Sequence, residues 1–334
     1  MHKKYIEYAK KTFVAYENPY NSVVKTFGKA INKLEPNSYY YGIKDIDGFD
    51  EKIFEKLDNN NFIRHTIDKS SYGGRAIDIN LKNPITGRNM TGSSSGTAIN
   101  VFAGINDLGI GSDGGGSVLA PAASLNLFGF LSPLIPSKFK NKKSTDNLGF
   151  KPSVGFISKK MTVLEKAVEV TLDISLNLDK VNSSIIINTF NMSKYYMERI
   201  KKKNINANRL IEINTALPRK EGIRILSKYI KNNILIGYES KIDLEGFGDS
   251  IFGLNDSFTK KEQEKANKGI IKYVNMCGLS AIFIPTSELA SGYILCGDSS
   301  VDTIREMFHL GALLYEETNP TMCNYFGNLD MYLR

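Results

Sequence analysis

The stretch Asn83–Pro133, NPITGRNMTGSSSGTAINVFAGINDLGIGSDGGGSVLAPAASLNLFGFLSP, decides how the rest of the chain is interpreted. It holds two clusters of serine and glycine, Gly92–Gly96 and Gly111–Ser117, separated by small residues that favour a helix. Successive glycines let the backbone approach a ligand closely and direct consecutive N–H groups at one point. A loop of this kind can bind a phosphate or the oxyanion of a tetrahedral intermediate. The alternative is a flexible turn without a ligand.

Ser117, at the end of the second cluster, is the candidate nucleophile. A phosphate loop is disfavoured, because the Lys-Ser/Thr pair that follows the glycines of a P-loop is absent. A serine hydroxyl needs a base to remove its proton, and neither His65 nor His309 lies in a recognisable triad motif. Ser-Lys arrangements require a lysine that burial or a nearby cation keeps neutral, and composition alone does not identify it.

The same stretch resembles the signature of the amidase signature family, whose members carry a glycine-serine motif, a helix of small residues, and then G-[ST]-D-x-G-G-S. Thr91–Gly96 and Gly111–Ser117 match the two motifs, and Pro121-Ala122 matches the dipeptide that follows. Upstream, Gly42–Asp45 resembles the strand that carries the family's catalytic lysine, and Asn83-Pro84 matches its N-P pair. The resemblance identifies the chain as a shortened and divergent member.

The resemblance implies a catalytic set of Lys44, Ser93 and Ser117. Ser117 would attack an amide carbonyl, while Ser93 would pass its proton to a buried, neutral Lys44. In the family the bridging serine follows a cis peptide bond, and this position corresponds to Ser93. Water would then release the acyl group from Ser117.

The resemblance also implies supporting roles within the two clusters. The backbone N–H groups of Gly114, Gly115 and Gly116 would form the oxyanion hole. Ser94 would support Lys44 by hydrogen bonding, and Asp113 would hold the loop together without acting as a base.

Lower-specificity matches extend the resemblance over most of residues 40–317, at Gly155–Ile157, Thr162–Ala167 and Gly278–Pro285. Four residues depart from the family's pattern: Ile46, Ser95, Leu119 and Ile294. Leu119 replaces a common arginine, whose loss could loosen the nucleophile loop.

Helical and short apolar segments alternate along the chain, which predicts an α/β fold. The resemblance makes this the amidase signature fold, a mixed twisted sheet covered by helices on both sides, as a single domain over 1–334. We expect a helical N-terminal segment at 1–35, the signature core at 83–133, and a variable, mostly helical region on the substrate side at 175–260. The lysine-rich stretch 137–149 is the best candidate for a mobile loop.

The composition gives little evidence for other partners. The net charge of +8 comes from scattered basic residues, without the aromatic residues of a base-stacking surface, so nucleic acid is disfavoured. Three cysteines and three histidines show no metal-ligand spacing, and we expect no metal and no cofactor. Without an apolar span or a secretory signal, the expected location is the cytoplasm.

The leading hypothesis is therefore an amidase that hydrolyses the C–N bond of a small or peptide-like linear amide. Acyl transfer to an amine in biosynthesis is a variant of the same chemistry. The alternatives are a glutamine-hydrolysing subunit of an amidotransferase with a partner subunit, and a non-catalytic binding or scaffold protein. A homodimer is a further partner hypothesis.

Overall fold

The protein is built around one large mixed sheet. The computed structural model describes residues 2–178, 180–215, 217–246, 248, 256–316 and 320–333. Among these residues, eleven strands form the sheet in the order β1 (Val23–Thr26), β3 (Phe62–Asp68), β2 (Tyr39–Lys44), β6 (Leu108–Asp113), β10 (Ser153–Ser158), β7 (Phe128–Ser132), β14 (Ser280–Pro285), β15 (Gly292–Gly297), β13 (Asn233–Glu239), β11 (Ser184–Asn188) and β12 (Arg209–Ile211). Strand β2 runs parallel to both of its neighbours, as does β11, and the other neighbouring pairs are antiparallel.

Two separate hairpins are formed by β4 (Ile77–Lys82) with β5 (Asn89–Thr91), and by β8 (Lys142–Lys143) with β9 (Gly149–Phe150).

The helices are α1 (His2–Glu17), α2 (Glu51–Asp58), α3 (Ser95–Phe102), α4 (Leu119–Ser124), α5 (Met161–Leu172), α6 (Lys194–Lys202), α7 (Arg219–Ile230), α8 (Ser257–Glu264), α9 (Ile271–Val274), α10 (Val301–Leu314) and α11 (Pro320–Phe326). None of the described helices has the length and apolar character needed to cross a membrane.

Helices cover both faces of the sheet, as its central strands show. Successive side chains of a strand point to opposite faces. In β14, Ile282 and Ile284 belong to one apolar cluster, whereas Ala281 and Phe283 belong to another. The first cluster includes Phe308 of α10, whose ring centroid lies 5.3 Å from that of Phe130. These contacts confirm the predicted α/β fold, with an apolar layer on each side of the sheet.

The N-terminal segment 1–35 is helical at His2–Glu17 and again in a 3₁₀ helix at Gly28–Lys33, with a short strand between them. Helix α1 ends at Glu17, and β1 follows at Val23. Asn18 and Asn21 adopt positive φ values of 50° and 53°, a conformation that asparagine tolerates better than most residues. The Asn18 side chain also bonds both the N–H and the C=O of Val23 at 2.9 Å, so it redirects the chain into a strand.

The described residues of the region 175–260, which was predicted to be mostly helical, form strands as well as helices. This region supplies β11, β12 and β13 at one edge of the main sheet, alongside α6 and α7. The reason lies in isoleucine-rich runs, Ile185–Ile187 in β11 and Ile234–Ile236 in β13, which are buried at every position. β-Branched residues favour such strands, and burial on both faces hides the alternation that would reveal them.

Candidate active site

Lys44 is the last residue of β2 and is buried in the protein interior. Its side chain is 2% exposed, and its Nζ donates to Oγ of Ser93 at 2.6 Å. Ser112 provides two more acceptors, its Oγ at 3.0 Å and its carbonyl oxygen at 3.4 Å. Burial lowers the pKa of Lys44 to about 7; the nearby charge of Asp113 opposes this shift and that of Lys142 adds to it. Near neutral pH, Lys44 therefore exists in both protonation states.

The two serine-glycine clusters pack against each other. The N–H of Ser94 donates to the carbonyl oxygen of Ser117 at 3.2 Å. A Cβ at Gly111 would lie 2.6 Å from Oγ of Ser94, so a side chain there would push the clusters apart. Gly92 adopts a φ of 74°, and a Cβ there would lie 2.5 Å from Cδ of Pro121. The glycines are thus needed for close approach of the two backbone segments.

Asp113 holds the nucleophile loop in shape. Its buried carboxylate accepts from the N–H groups of Gly116 at 2.7 Å, Val118 at 2.6 Å and Leu119 at 3.3 Å. Burial raises the pKa of Asp113, and these three donors oppose the shift. Three backbone bonds to one carboxylate bring Ser117 to the start of α4 at a fixed orientation. The loop is therefore tied internally, although Leu119 replaces the family's arginine.

The oxyanion-hole prediction is changed in one respect. The N–H of Gly116 already donates to Asp113, so it is not available for an oxyanion. The N–H groups of Gly114, Gly115 and Ser117 form no hydrogen bond with the part of the chain that the structure describes. Gly114, Gly115 and Ser117 are all partly exposed. These groups, and not the N–H of Gly116, are the candidate oxyanion donors.

Ser112, and not Ser94, provides the supporting contact to Lys44. The Oγ of Ser94 is buried and has no hydrogen-bond partner among the described residues, whereas Ser112 contacts the lysine directly. The sequence offered one signal for Ser112, since it occupies the Ser/Thr position of the motif G-[ST]-D. Ser95, another departure from the family pattern, donates from Oγ to the carboxylate of Asp78 at 2.6 Å.

The peptide bond before Ser93 differs from the expectation. No cis peptide bond occurs among the described residues, so the Gly92–Ser93 bond is trans. The positive φ of Gly92 turns the backbone at this point instead. Ser93 nevertheless lies next to Lys44.

A cavity of about 610 Å³ opens over this site. Lys44, Ser93, Ser112 and Ser117 all line it, together with Gly114 and Gly115. From the region 175–260, Arg219 and Gly248 are the described residues that reach the cavity.

Neither of the two histidines considered as bases lines this cavity in the described structure. His65 is buried elsewhere, where its ring nitrogens contact Asn106 at 2.9 Å and Thr12 at 3.2 Å. Burial lowers the pKa of His65 to about 4. A histidine-dependent mechanism at Ser117 therefore has no support in the geometry.

Comparisons with known proteins agree with this fold. Residues 79–138 match the family model described as Amidase. No curated protein matches the chain. A solved amidase is 13% identical, with a TM-score of 0.61 over 93% of this chain and 94% of that chain. A bacterial aryl acylamidase of the amidase signature family is 15% identical, with a TM-score of 0.61 over 96% and 95%.

A third structure, of 6-aminohexanoate cyclic dimer hydrolase complexed with substrate, is 12% identical, with a TM-score of 0.61 over 92% of each chain. Such low identities establish the fold alone. Together with the match of residues 79–138, they confirm the resemblance to the amidase signature family.

Proposed function

We propose that this protein is an amidase that cleaves a carboxamide C–N bond through an acyl-enzyme on Ser117. The observation that carries the proposal is the buried Lys44, whose pKa is about 7 and whose Nζ lies 2.6 Å from Oγ of Ser93. A lysine that loses its proton near neutrality can serve as a general base. The likeness of residues 79–138 to the Amidase family model, and of the fold to solved amidases, supports amide hydrolysis.

The reaction begins when neutral Lys44 accepts the hydroxyl proton of Ser93. Ser93 in turn takes the proton of Ser117, whose oxygen attacks the amide carbonyl carbon. The tetrahedral intermediate collapses when the C–N bond breaks, and the proton returns through Ser93 to the leaving amine. Water, activated by the same relay, then hydrolyses the ester on Ser117.

The negative charge of the tetrahedral intermediate needs donors that are in place before the reaction. The N–H groups of Gly114, Gly115 and Ser117 border the cavity and are not bonded within the described structure. Removing one such donor from an enzyme of this type lowers the rate by about 10²–10³-fold. Asp113 contributes by holding the loop that presents them.

The test is covalent labelling with a neutral fluorophosphonate, followed by intact-mass analysis of the wild type and of the Ser117→Ala and Lys44→Met variants. We expect one adduct on the wild type, mapped to Ser117, with no adduct on Ser117→Ala and at least 100-fold slower labelling of Lys44→Met. Lys140→Met, which changes an exposed lysine outside the cavity, is the matched control and should label at the wild-type rate.

A folded wild type that is not labelled, or labelling that survives in Ser117→Ala, would refute the proposal. Amide substrates then separate the two fates of the acyl group. An amine that replaces water in the last step would make the site an acyltransferase. Mass analysis of the products identifies whether the free acid or a new amide is formed.

A further inference from the structure

The cavity above Ser117 is strongly cationic. Five of its described lining residues carry basic side chains, and none of them carries a carboxylate. These basic residues are Lys44, Arg75, Lys142, Lys143 and Arg219. Like charges that face one cavity repel each other and attract an anion. Arg219 is paired with Asp146, whereas the described ion pairs include neither Lys142 nor Lys143.

Lys142 and Lys143 come from the β8–β9 hairpin, which lies over the nucleophile loop. Lys142 is paired in register with Phe150. A Cβ at Gly114 would lie 2.3 Å from Cε2 of Phe150, so this ring lies directly against the loop that carries Ser117. One strand spacing, about 5 Å, therefore separates the backbone of Lys142 from a residue in contact with the site.

The one described ion pair of the hairpin joins it to a lining residue of the cavity. Asp146, near the tip, binds Arg219 of α7 at 3.1 Å, and Asp146 does not itself line the cavity. This pair anchors the hairpin tip to α7, while Lys142 and Lys143 remain on the cavity wall. An independent sign that Lys142 faces the site is that its charge helps to lower the pKa of Lys44.

We propose that the substrate is an amide that also carries a carboxylate, which Lys142 binds at the hairpin side of the cavity, beside Lys143. The smallest members of this class are monoamides of dicarboxylic acids. The inference rests on the proposed function of Ser117, and it names the class of substrate for that site. An anion held there would orient the amide carbonyl toward Ser117 and would supply the charge that this wall lacks.

The first experiment compares two chromogenic amides of similar shape, succinyl 4-nitroanilide and its neutral methyl ketone counterpart, 4-oxopentanoyl 4-nitroanilide. For the wild type we expect kcat/KM at least 10-fold higher for the succinyl compound, with the difference mainly in KM. The preference should fall with added salt, because it is electrostatic. It should fall to about 1 in the Lys142→Gln/Lys143→Gln double variant and persist in the control Lys140→Gln.

Equal kcat/KM for the two amides in the wild type, or an unchanged preference in the double variant, would overturn the inference while leaving the amidase proposal intact. A second measurement does not depend on turnover. Calorimetry on the Ser117→Ala variant should show succinamate binding at least 10-fold more tightly than 4-oxopentanamide, and this difference should vanish when Lys142 and Lys143 are also replaced by Gln.

Absence of that difference overturns the inference even if neither nitroanilide is cleaved. Tighter binding of 3-phosphonopropionamide than of succinamate would overturn the choice of carboxylate in favour of a phosphoryl group. Loss of fluorophosphonate labelling at Ser117 is a separate result, and it would bear on the amidase proposal alone.

Discussion

Replacing Lys44 by methionine should make the protein more stable while it abolishes the chemistry. Lys44 is 2% exposed, and burial lowers its pKa from 10.5 to about 7. In the unfolded chain the same lysine has its ordinary pKa of about 10.4. The folded state therefore binds this proton less tightly than the unfolded state does. Folding becomes less favourable at every pH at which the lysine of the unfolded chain is charged. Methionine has a similar length and no charge, so it removes this cost.

The size of the effect depends on pH in a defined direction. Below about pH 7 the lysine is charged in both states, and lowering its pKa from 10.5 to about 7 corresponds to ~5 kcal/mol of lost stability. As pH rises from 7 to 10.5 the folded lysine is neutral and the cost declines, reaching about 2 kcal/mol at pH 9. The lost contacts to the hydroxyls of Ser93 and Ser112 offset part of the gain by a roughly constant ~1–2 kcal/mol.

The assay is urea unfolding of the wild type and Lys44→Met at pH 5.5 and pH 9, with the midpoint and slope followed by circular dichroism. The stability difference in favour of the variant should be about 3 kcal/mol larger at pH 5.5 than at pH 9. Lys140→Met, at an exposed position, should show a difference that does not change with pH. A difference independent of pH for Lys44→Met would mean that Lys44 keeps an ordinary pKa, and the general-base argument would fail with it.

The surroundings of Lys44 and Ser117 are open to three more tests. The fluorophosphonate labelling rate of Ser117 should rise about 30-fold between pH 5.5 and pH 9 with a midpoint near 7, because only neutral Lys44 accepts a proton; a flat profile would contradict this. Ser112→Ala should slow labelling by about 10-fold or more, because Lys44 loses one of its two hydroxyl contacts. The circular dichroism spectrum should stay unchanged, and labelling at the wild-type rate would exclude a positioning role for Ser112. Asp113→Asn should lower the free energy of unfolding in urea by about 2–4 kcal/mol, because its amide nitrogen would face buried N–H donors. The same change should suppress labelling of Ser117. Stability equal to that of the wild type would argue against the loop contacts.

The sequence predicted the central contact of the site through motif resemblance and not through local pattern. Lys44 and Ser93 are separated by 49 residues: Lys44 ends β2, and Ser93 lies in the turn between β5 and α3. Nothing in the hydrophobic periodicity of either segment indicates that pairing. The glycine-serine motifs carry the information, since close approach of two backbones requires glycine at specific positions such as Gly111.

Features that lack a local signature were missed. The hairpin over the cavity consists of two-residue strands, too short for any alternation, so residues 137–149 were expected to form only a loop. Strands β11 and β13 contain the short apolar runs Ile185–Ile187 and Ile234–Ile236, a pattern that does not distinguish a buried strand from a buried helix. Ser112 contacts Lys44 only because strand β6 ends beside β2, and this neighbour relation is a property of the folded sheet.

The strand that carries Lys44 is packed against buried polar side chains. Two residues earlier, a Cβ at Gly42 would lie 2.3 Å from both Nδ2 of Asn106 and Oδ2 of Asp68, so a polar layer packs directly on the bare backbone. Asp68 stands opposite Lys44 in the register of β2 and β3, and burial raises its pKa to about 7. Two neighbouring groups are thus shifted toward their neutral forms by burial, an arrangement that disfavours folding. The apolar layers on both faces of the sheet offset this cost in folding free energy. The fold can therefore keep a buried lysine at the end of β2, where Ser117 needs a base.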